Sequence, residues 1–193
     1  MGQMCMKKFP FVKIPQLNIK MHILRKLQLY IETCPVEISG LGNIEVYSPE
    51  ELMITDIFIL KQNATAVSTT LDTDAIAEFL TIGVEKSDEL TNIRCWWHSH
   101  VNMDVFFSPL DENTISCFTG DFLVSVVGNK RGEFLSRLDI FQPLRLSLDI
   151  PFRCMEEEEI RKCVEDEINH KLCIPEVSSF RREHSWLLKR RDP

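Results

Sequence analysis

Short runs of β-branched and aromatic residues alternate with segments of helical periodicity, and that alternation restricts the chain to a sheet carrying helices. From Ile19 to Ile31 apolar residues recur at spacings near three and four, through Met21, Leu24, Leu27 and Ile31, which predicts an amphipathic helix packed on a sheet. Cys34-Pro35 stops it. Val36 to Leu41 then begins an extended segment, and Gly42-Asn43 reads as a turn, so Glu37 falls at a strand start. Leu52 to Leu60 and Ala64 to Thr69, with Gln62-Asn63 between them, predict a hairpin. Asp72 or Thr73 caps a following helix that aligns Ile76, Phe79 and Leu80.

The second half repeats the pattern. Ile93 to His100 reads as a strand, Ser108-Pro109-Leu110-Asp111 as the first turn of a helix reaching about Phe118, and Phe122 to Val127 and Phe134 to Phe141 as two strands. Leu144, Leu146, Leu148 and Ile150 alternate with polar residues, the period of a half-exposed strand. After Pro151 the period changes: Ile160, Val164, Ile168 and Leu172 form one helical stripe, with the acidic run Glu156 to Glu159 at its favourable N-terminal end and Pro175 beyond it. A short helix over 178–190 is the last element. At 193 residues the chain suits one domain over 1–150 with a C-terminal helical extension over 151–193, packed on the core or appended to it.

Composition removes several classes of function. Hydrophobic residues at 44% with 26% charged residues describe a globular core, and no apolar run reaches the roughly 18 residues that would span a bilayer. A net charge of -7 argues against nucleic acid, because phosphate binding needs a concentrated basic face. Only the end, from Arg181 to Arg191, is basic. Seven cysteines, at 5, 34, 95, 117, 154, 163 and 173, are an odd number with no Cys-x-x-Cys pair. They fit small apolar residues in a reducing cytoplasm.

The chemistry gathers between His98 and Asp111. Side chains two apart on a strand share a face, so His98 and His100 present both imidazoles to one point while Ser99 turns away. Asp111 lies eleven residues beyond His100 and reaches the same point if the intervening loop folds the next helix back. Two histidines and a carboxylate suit zinc and leave a fourth tetrahedral position open, as in a catalytic site. A carboxylate nearby must then move the proton of the attacking water, and Glu37 is the candidate base. An isolated His-x-His, however, is more often two polar residues on an exposed strand face than a metal site. Ser108 has two readings, helix N-cap or hydrogen-bond donor to a developing oxyanion. Trp96 shares the parity of the histidines, either as a wall of the site or as a core aromatic. Met103, Phe106 and Phe107 either line a substrate groove or anchor the loop. His22, His170 and His184 read as surface residues.

The joint spacing His98-x-His100, seven residues, Ser108, two residues, Asp111 resembles the JAMM motif of the MPN+ (JAB) metalloprotease family. Cys95-Trp96-Trp97-His98-Ser99-His100 is similar to the family's aromatic approach to its histidines, and Pro35-Val36-Glu37-Ile38-Ser39-Gly40 to its P-x-E-x-x-G segment. The resemblance covers roughly residues 17 to 150. It implies an α/β fold of three layers, a cytidine-deaminase-like arrangement with helices around a curved mixed sheet. It also implies one zinc ion on His98, His100 and Asp111, Glu37 as base and Ser108 at the oxyanion. The implied reaction is hydrolysis at the C-terminus of ubiquitin or a ubiquitin-like protein, free or conjugated. Activating and conjugating enzymes of the same pathway are the further partners it implies. No long insertion precedes His98 or follows Asp111, so the chain resembles compact prokaryotic or phage-type members. The alternative is a non-enzymatic MPN-type scaffold, which would be expected to lack at least one of Glu37, His98, His100 and Asp111; all four are present.

Overall fold

In chain order the elements are β1 (Gln16–Ile19), α1 (Met21–Thr33), β2 (Ser39–Ser48), β3 (Glu51–Ile59), β4 (Gln62–Ala64), β5 (Thr69–Leu71) and α2 (Thr73–Lys86). They continue with β6 (Ile93–Ser99), α3 (Pro109–Ser116), β7 (Phe122–Gly128), β8 (Phe134–Ile140), β9 (Leu146–Ile150), β10 (Phe152–Cys154) and α4 (Met155–Lys171). This computed structural model describes residues 14–86 and 92–172, with backbone alone for 82–86, 157 and 158. The helix read over 178–190, the basic terminus, Pro175, His184, Cys5 and Cys173 lie outside the described residues. Two compact units divide the chain, Met1–Glu159 and Ile160–Pro193.

Eight strands form one mixed sheet in the order β10-β1-β3-β2-β6-β7-β8-β9, so the first unit is of mixed α/β class. The pairs β1 with β10, β1 with β3 and β6 with β7 are parallel, and the remaining neighbours are antiparallel. β9 and β10 stand at opposite ends of that order, yet Pro151 alone separates them in the chain. Two consecutive strands can occupy opposite ends only if the sheet curls until its ends approach. The Leu17 amide donates to the Pro151 carbonyl at 2.8 Å and the Ser136 hydroxyl to the Ile150 carbonyl at 2.7 Å, holding this seam.

The strand period sorts side chains onto two faces. On one, Ile23, Leu24, Leu27 and Ile31 of α1 bury against Leu17, Ile54, Ile57, Cys95, Trp97, Val124 and Val126. At about 25 cal/mol per Å² of apolar surface, this larger cluster supplies most of the drive to fold. On the other, Trp96, Leu41 and Leu123 meet Ile115 of α3, with Phe79 of α2 packed alongside. Trp97 and Trp96 therefore face opposite layers, as strand parity requires.

Several elements differ from the sequence reading. Gly42-Asn43 is not a turn; β2 runs through it, and the chain reverses after Ser48. The glycines are there for close approach: a Cβ on Gly40 would lie 2.0 Å from the Phe58 carbonyl oxygen and 2.6 Å from the Trp97 ring. Glu37 consequently precedes β2 by two residues instead of opening a strand. The second hairpin also shifts. Gln62–Ala64 is a strand, paired with Thr69–Leu71, and the turn lies at Thr65 to Ser68, where the Thr65 amide donates to the Ser68 carbonyl at 2.8 Å. β1 and β10, of four and three residues, are additional strands, and α1 begins at Met21 because Ile19 belongs to β1. Asp72 caps α2 as expected, its Oδ1 accepting from the amides of Asp74 and Ala75.

Among the described cysteines, Cys34, Cys95, Cys117 and Cys163 carry free thiols, and burial pushes the Cys95 thiol up to about 12. No described helix is long and apolar enough to cross a membrane.

Candidate metal centre

The end of β6 carries His98, and His100 follows directly after the strand, both on the face of the sheet covered by α3. Their exposures are 2% and 3%. Past His100 the chain turns back on itself: Val101 has φ of 49°, a left-handed conformation that costs a β-branched residue about 1–3 kcal/mol. The surrounding bonds hold it there. The His100 amide donates to the Gly128 carbonyl at 2.9 Å, and the Lys130 amide donates to the Val101 carbonyl at 2.7 Å. The turn directs the loop toward α3 and so brings Asp111 back over the strand end.

α3 starts with a complete capping box. The Ser108 hydroxyl oxygen accepts from the Asp111 amide at 3.3 Å, while Asp111 Oδ2 accepts from the Ser108 amide and hydroxyl, each at 2.7 Å. Pro109 occupies the first turn, where its missing amide proton costs nothing. The box leaves Asp111 Oδ1 pointing at His98 Nε2, 3.2 Å away, and Oδ2 lies 3.7 Å from His100 Nε2. The two histidine Nε2 atoms are 3.2 Å apart. Ligand atoms of His98, His100 and Asp111 all lie within 4.8 Å of one another, and all three side chains are buried.

The donor set fits a cation. His100 Nδ1 sits 2.8 Å from the Asp104 carbonyl, which can only accept, so Nδ1 carries the proton and Nε2 presents its lone pair to the cluster. His98 is kept neutral by burial, which holds its pKa below the usual value against the pull of Asp111. His98 Nδ1 is buried without a hydrogen-bond partner. For His100 burial acts downward too, but the nearby Asp111 carboxylate and the bond to the Asp104 carbonyl carry its pKa up. Asp111 resists a burial that would raise it, because the His100 and His98 rings lie against it and Ser108 donates to it; its carboxyl stays well below the ordinary range. An anionic carboxylate and two imidazole Nε2 atoms converging in a buried space form a site that a divalent cation would satisfy.

Glu37 reaches the same place from another direction. Its amide donates to the Thr65 carbonyl at 2.9 Å, the Ile38 amide to the Ser99 hydroxyl at 3.1 Å, and the Ser39 amide to the Gln62 side chain at 2.9 Å. The segment is thereby fastened between the end of β6 and the small β4–β5 sheet. Burial raises the Glu37 carboxyl to about 6, opposed by the charge of His100 and reinforced by that of Asp111. Its side chain lines a cavity of about 140 Å³ together with His100, Ser108, Asp111, Trp96 and Met103.

Every candidate residue lies in this neighbourhood, in different places. Trp96 serves both readings at once, 2% exposed in the core and stacked on His98 with centroids 4.4 Å apart. Met103 and Phe106 line the cavity and are 40% and 45% exposed, so both stand at its rim. Phe107 instead packs inward against the Trp96 cluster, 6.4 Å from the His98 ring, as a loop anchor. Val67, Thr69, Leu110 and Thr114 also line the cavity, and nothing in their spacing announced it. The network fixing the 101–104 loop was equally silent in sequence: Asn129, 2% exposed, donates to the Met103 carbonyl at 2.9 Å, and Arg131 donates to the Asn102 carbonyl at 2.9 Å.

Comparison with protein-family models and with curated proteins gives no match.

Proposed function

We propose that this chain is a zinc-dependent peptidase or isopeptidase of the JAMM/MPN+ type, with an MPN/JAB fold, acting at the C-terminus of a ubiquitin-like protein or its conjugate. The observation that carries the reading is the convergence of the His98, His100 and Asp111 ligand atoms within 4.8 Å beside a cavity that Glu37 also lines. Bound zinc would polarise the scissile carbonyl and lower the pKa of a water at the open position.

The protein's own groups supply the rest. His98 and His100 would hold the ion through Nε2, and the Asp104 carbonyl keeps His100 in the required tautomer. Glu37, with its carboxyl raised to about 6, is ionised at neutral pH yet basic enough to accept a proton from water and return it to a leaving amine. The Ser108 hydroxyl donates to Asp111 and lines the cavity; turned toward a substrate oxygen, the same group would stabilise the oxyanion. Glu37→Gln should therefore retain about one zinc per chain and lose at least a hundred-fold in cleavage of ubiquitin-like fusions. His98→Ala should lose the zinc. Elemental analysis and a panel of such fusions read both effects. Stoichiometric zinc in His98→Ala would defeat the ligand assignment, and undiminished cleavage by Glu37→Gln would defeat the base.

A further inference from the structure

Behind the centre lies a group that the five-residue motif does not include. Arg137, on β8, is 8% exposed, and its guanidinium serves three partners. Nη1 and Nη2 form a fork onto the two carboxylate oxygens of Glu112, at 2.5 and 3.1 Å. Nε donates to Asp139 Oδ2 at 3.0 Å, and the Asp139 Oδ1 accepts from the Ser147 hydroxyl. The guanidinium carbon lies over the Phe107 ring, 4.3 Å from its centroid.

The position of these partners in the chain gives the arrangement its meaning. Phe107 immediately precedes the Ser108 cap, and Glu112 immediately follows Asp111. One side chain from the sheet thus grips both flanks of the segment that delivers the carboxylate ligand. α3 has eight residues, too few to be stable unaided, and only Asp111 and Ile115 are buried along it. Its docking must come from outside the helix. Asp139, with no exposed surface, keeps Arg137 in place from below.

We infer that Arg137 is a positioning residue for the metal centre, fixing Asp111 against His98 and His100 through Glu112 and Phe107. The inference rests on the metal-centre reading above. Partners bonded directly to a metal ligand govern about 10–100-fold in metal affinity, and Arg137, acting one residue further out, belongs at the lower end of that range. Two variants test it with the full chain. Glu112→Ala removes the fork from a partly exposed carboxylate and leaves the Arg137–Asp139 pair intact. Arg137→Lys keeps a charge against Asp139 but cannot hold both carboxylates in fork geometry. Zinc affinity, measured by competition with a chelating dye, should fall about ten-fold in Glu112→Ala, with cooperative unfolding of the metal-free protein retained. Combining Glu112→Ala with Asp111→Ala should cost less than the product of the two single losses, since both act on one ligand. A merely structural role would lower the melting temperature and leave the affinity and the coupling unmoved. Parental zinc binding with Glu112→Ala unchanged within two-fold and additive in the double variant overturns the positioning role alone. A parent that takes up no zinc overturns the metal-centre reading itself. Should Arg137→Lys fail to fold, Glu112→Ala decides the question.

Discussion

Two carboxylates that line one cavity are driven to opposite extremes of acidity. Asp111 accepts from Ser108, lies against two imidazoles and stays ionised; Glu37 is mainly desolvated and is raised to about 6. For Glu37 the sign of the stability effect follows directly. The unfolded carboxyl loses its proton near 4.5 and the folded one near 6, so the folded state binds the proton more tightly. Stability of the metal-free protein contributed by this group is present at pH below 4.5, falls as pH rises through 6, and remains lower above. Glu37→Gln should remove that fall, gaining about 1 kcal/mol near neutral pH after allowance for solvent screening, and almost nothing in acid. Urea unfolding at the two pH values measures it; equal differences at both would show that the carboxyl is not desolvated. His98, His100 and Asp111 were legible because strand parity and a helix cap are local rules, whereas Glu37 was found mainly through the resemblance of its Pro-x-Glu-x-x-Gly segment. The acidity of Glu37 was not legible, since it depends on burial that only the assembled loops create.

At the scale of elements, α3 joins structure to chemistry in one turn. Ser108→Ala should cost about 1 kcal/mol, because the Asp111 amide loses its acceptor and the carboxylate loses a donor. In a chain of this size that is a fall of about 2–4 °C in the melting temperature of the metal-free protein, by calorimetry. No change would mean that the cap bonds are replaced by water. This helix start could be read from Ser108, Pro109 and Asp111 alone. β2 could not, because glycine is ambiguous: at Gly42 the same residue that usually marks a reversal instead admits Asp56 and Cys95, whose nearest atoms would lie 2.9 and 3.2 Å from a Cβ. β1 and β10 escaped notice for another reason. Three or four residues carry too little periodicity to register, and both strands owe their existence to pairing with segments far away in sequence. Arg137 and Asn129 belong to the same case, their partners lying 25 and 26 residues distant.

For the first unit as a whole, β10 decides whether the curled sheet is complete. A chain ending at Glu159 keeps the strand, whereas one ending at Ile150 loses it and uncovers β1 on that side. The shorter chain should melt several degrees lower with a less cooperative transition, and equal melting of the two would show that the seam contributes nothing. The order in which a ribosome releases this chain gives the seam one more consequence. β1 leaves among the first described residues, but its outer neighbour is completed only at Cys154, after every other strand of the sheet has been made. Until that strand is made β1 therefore presents one unpaired edge, with Leu17 and Ile19 beside it, to any other nascent strand nearby. The three residues Phe152–Cys154 are the first to cover that edge, and the speed with which they arrive sets how long the chain is open to association with its own copies.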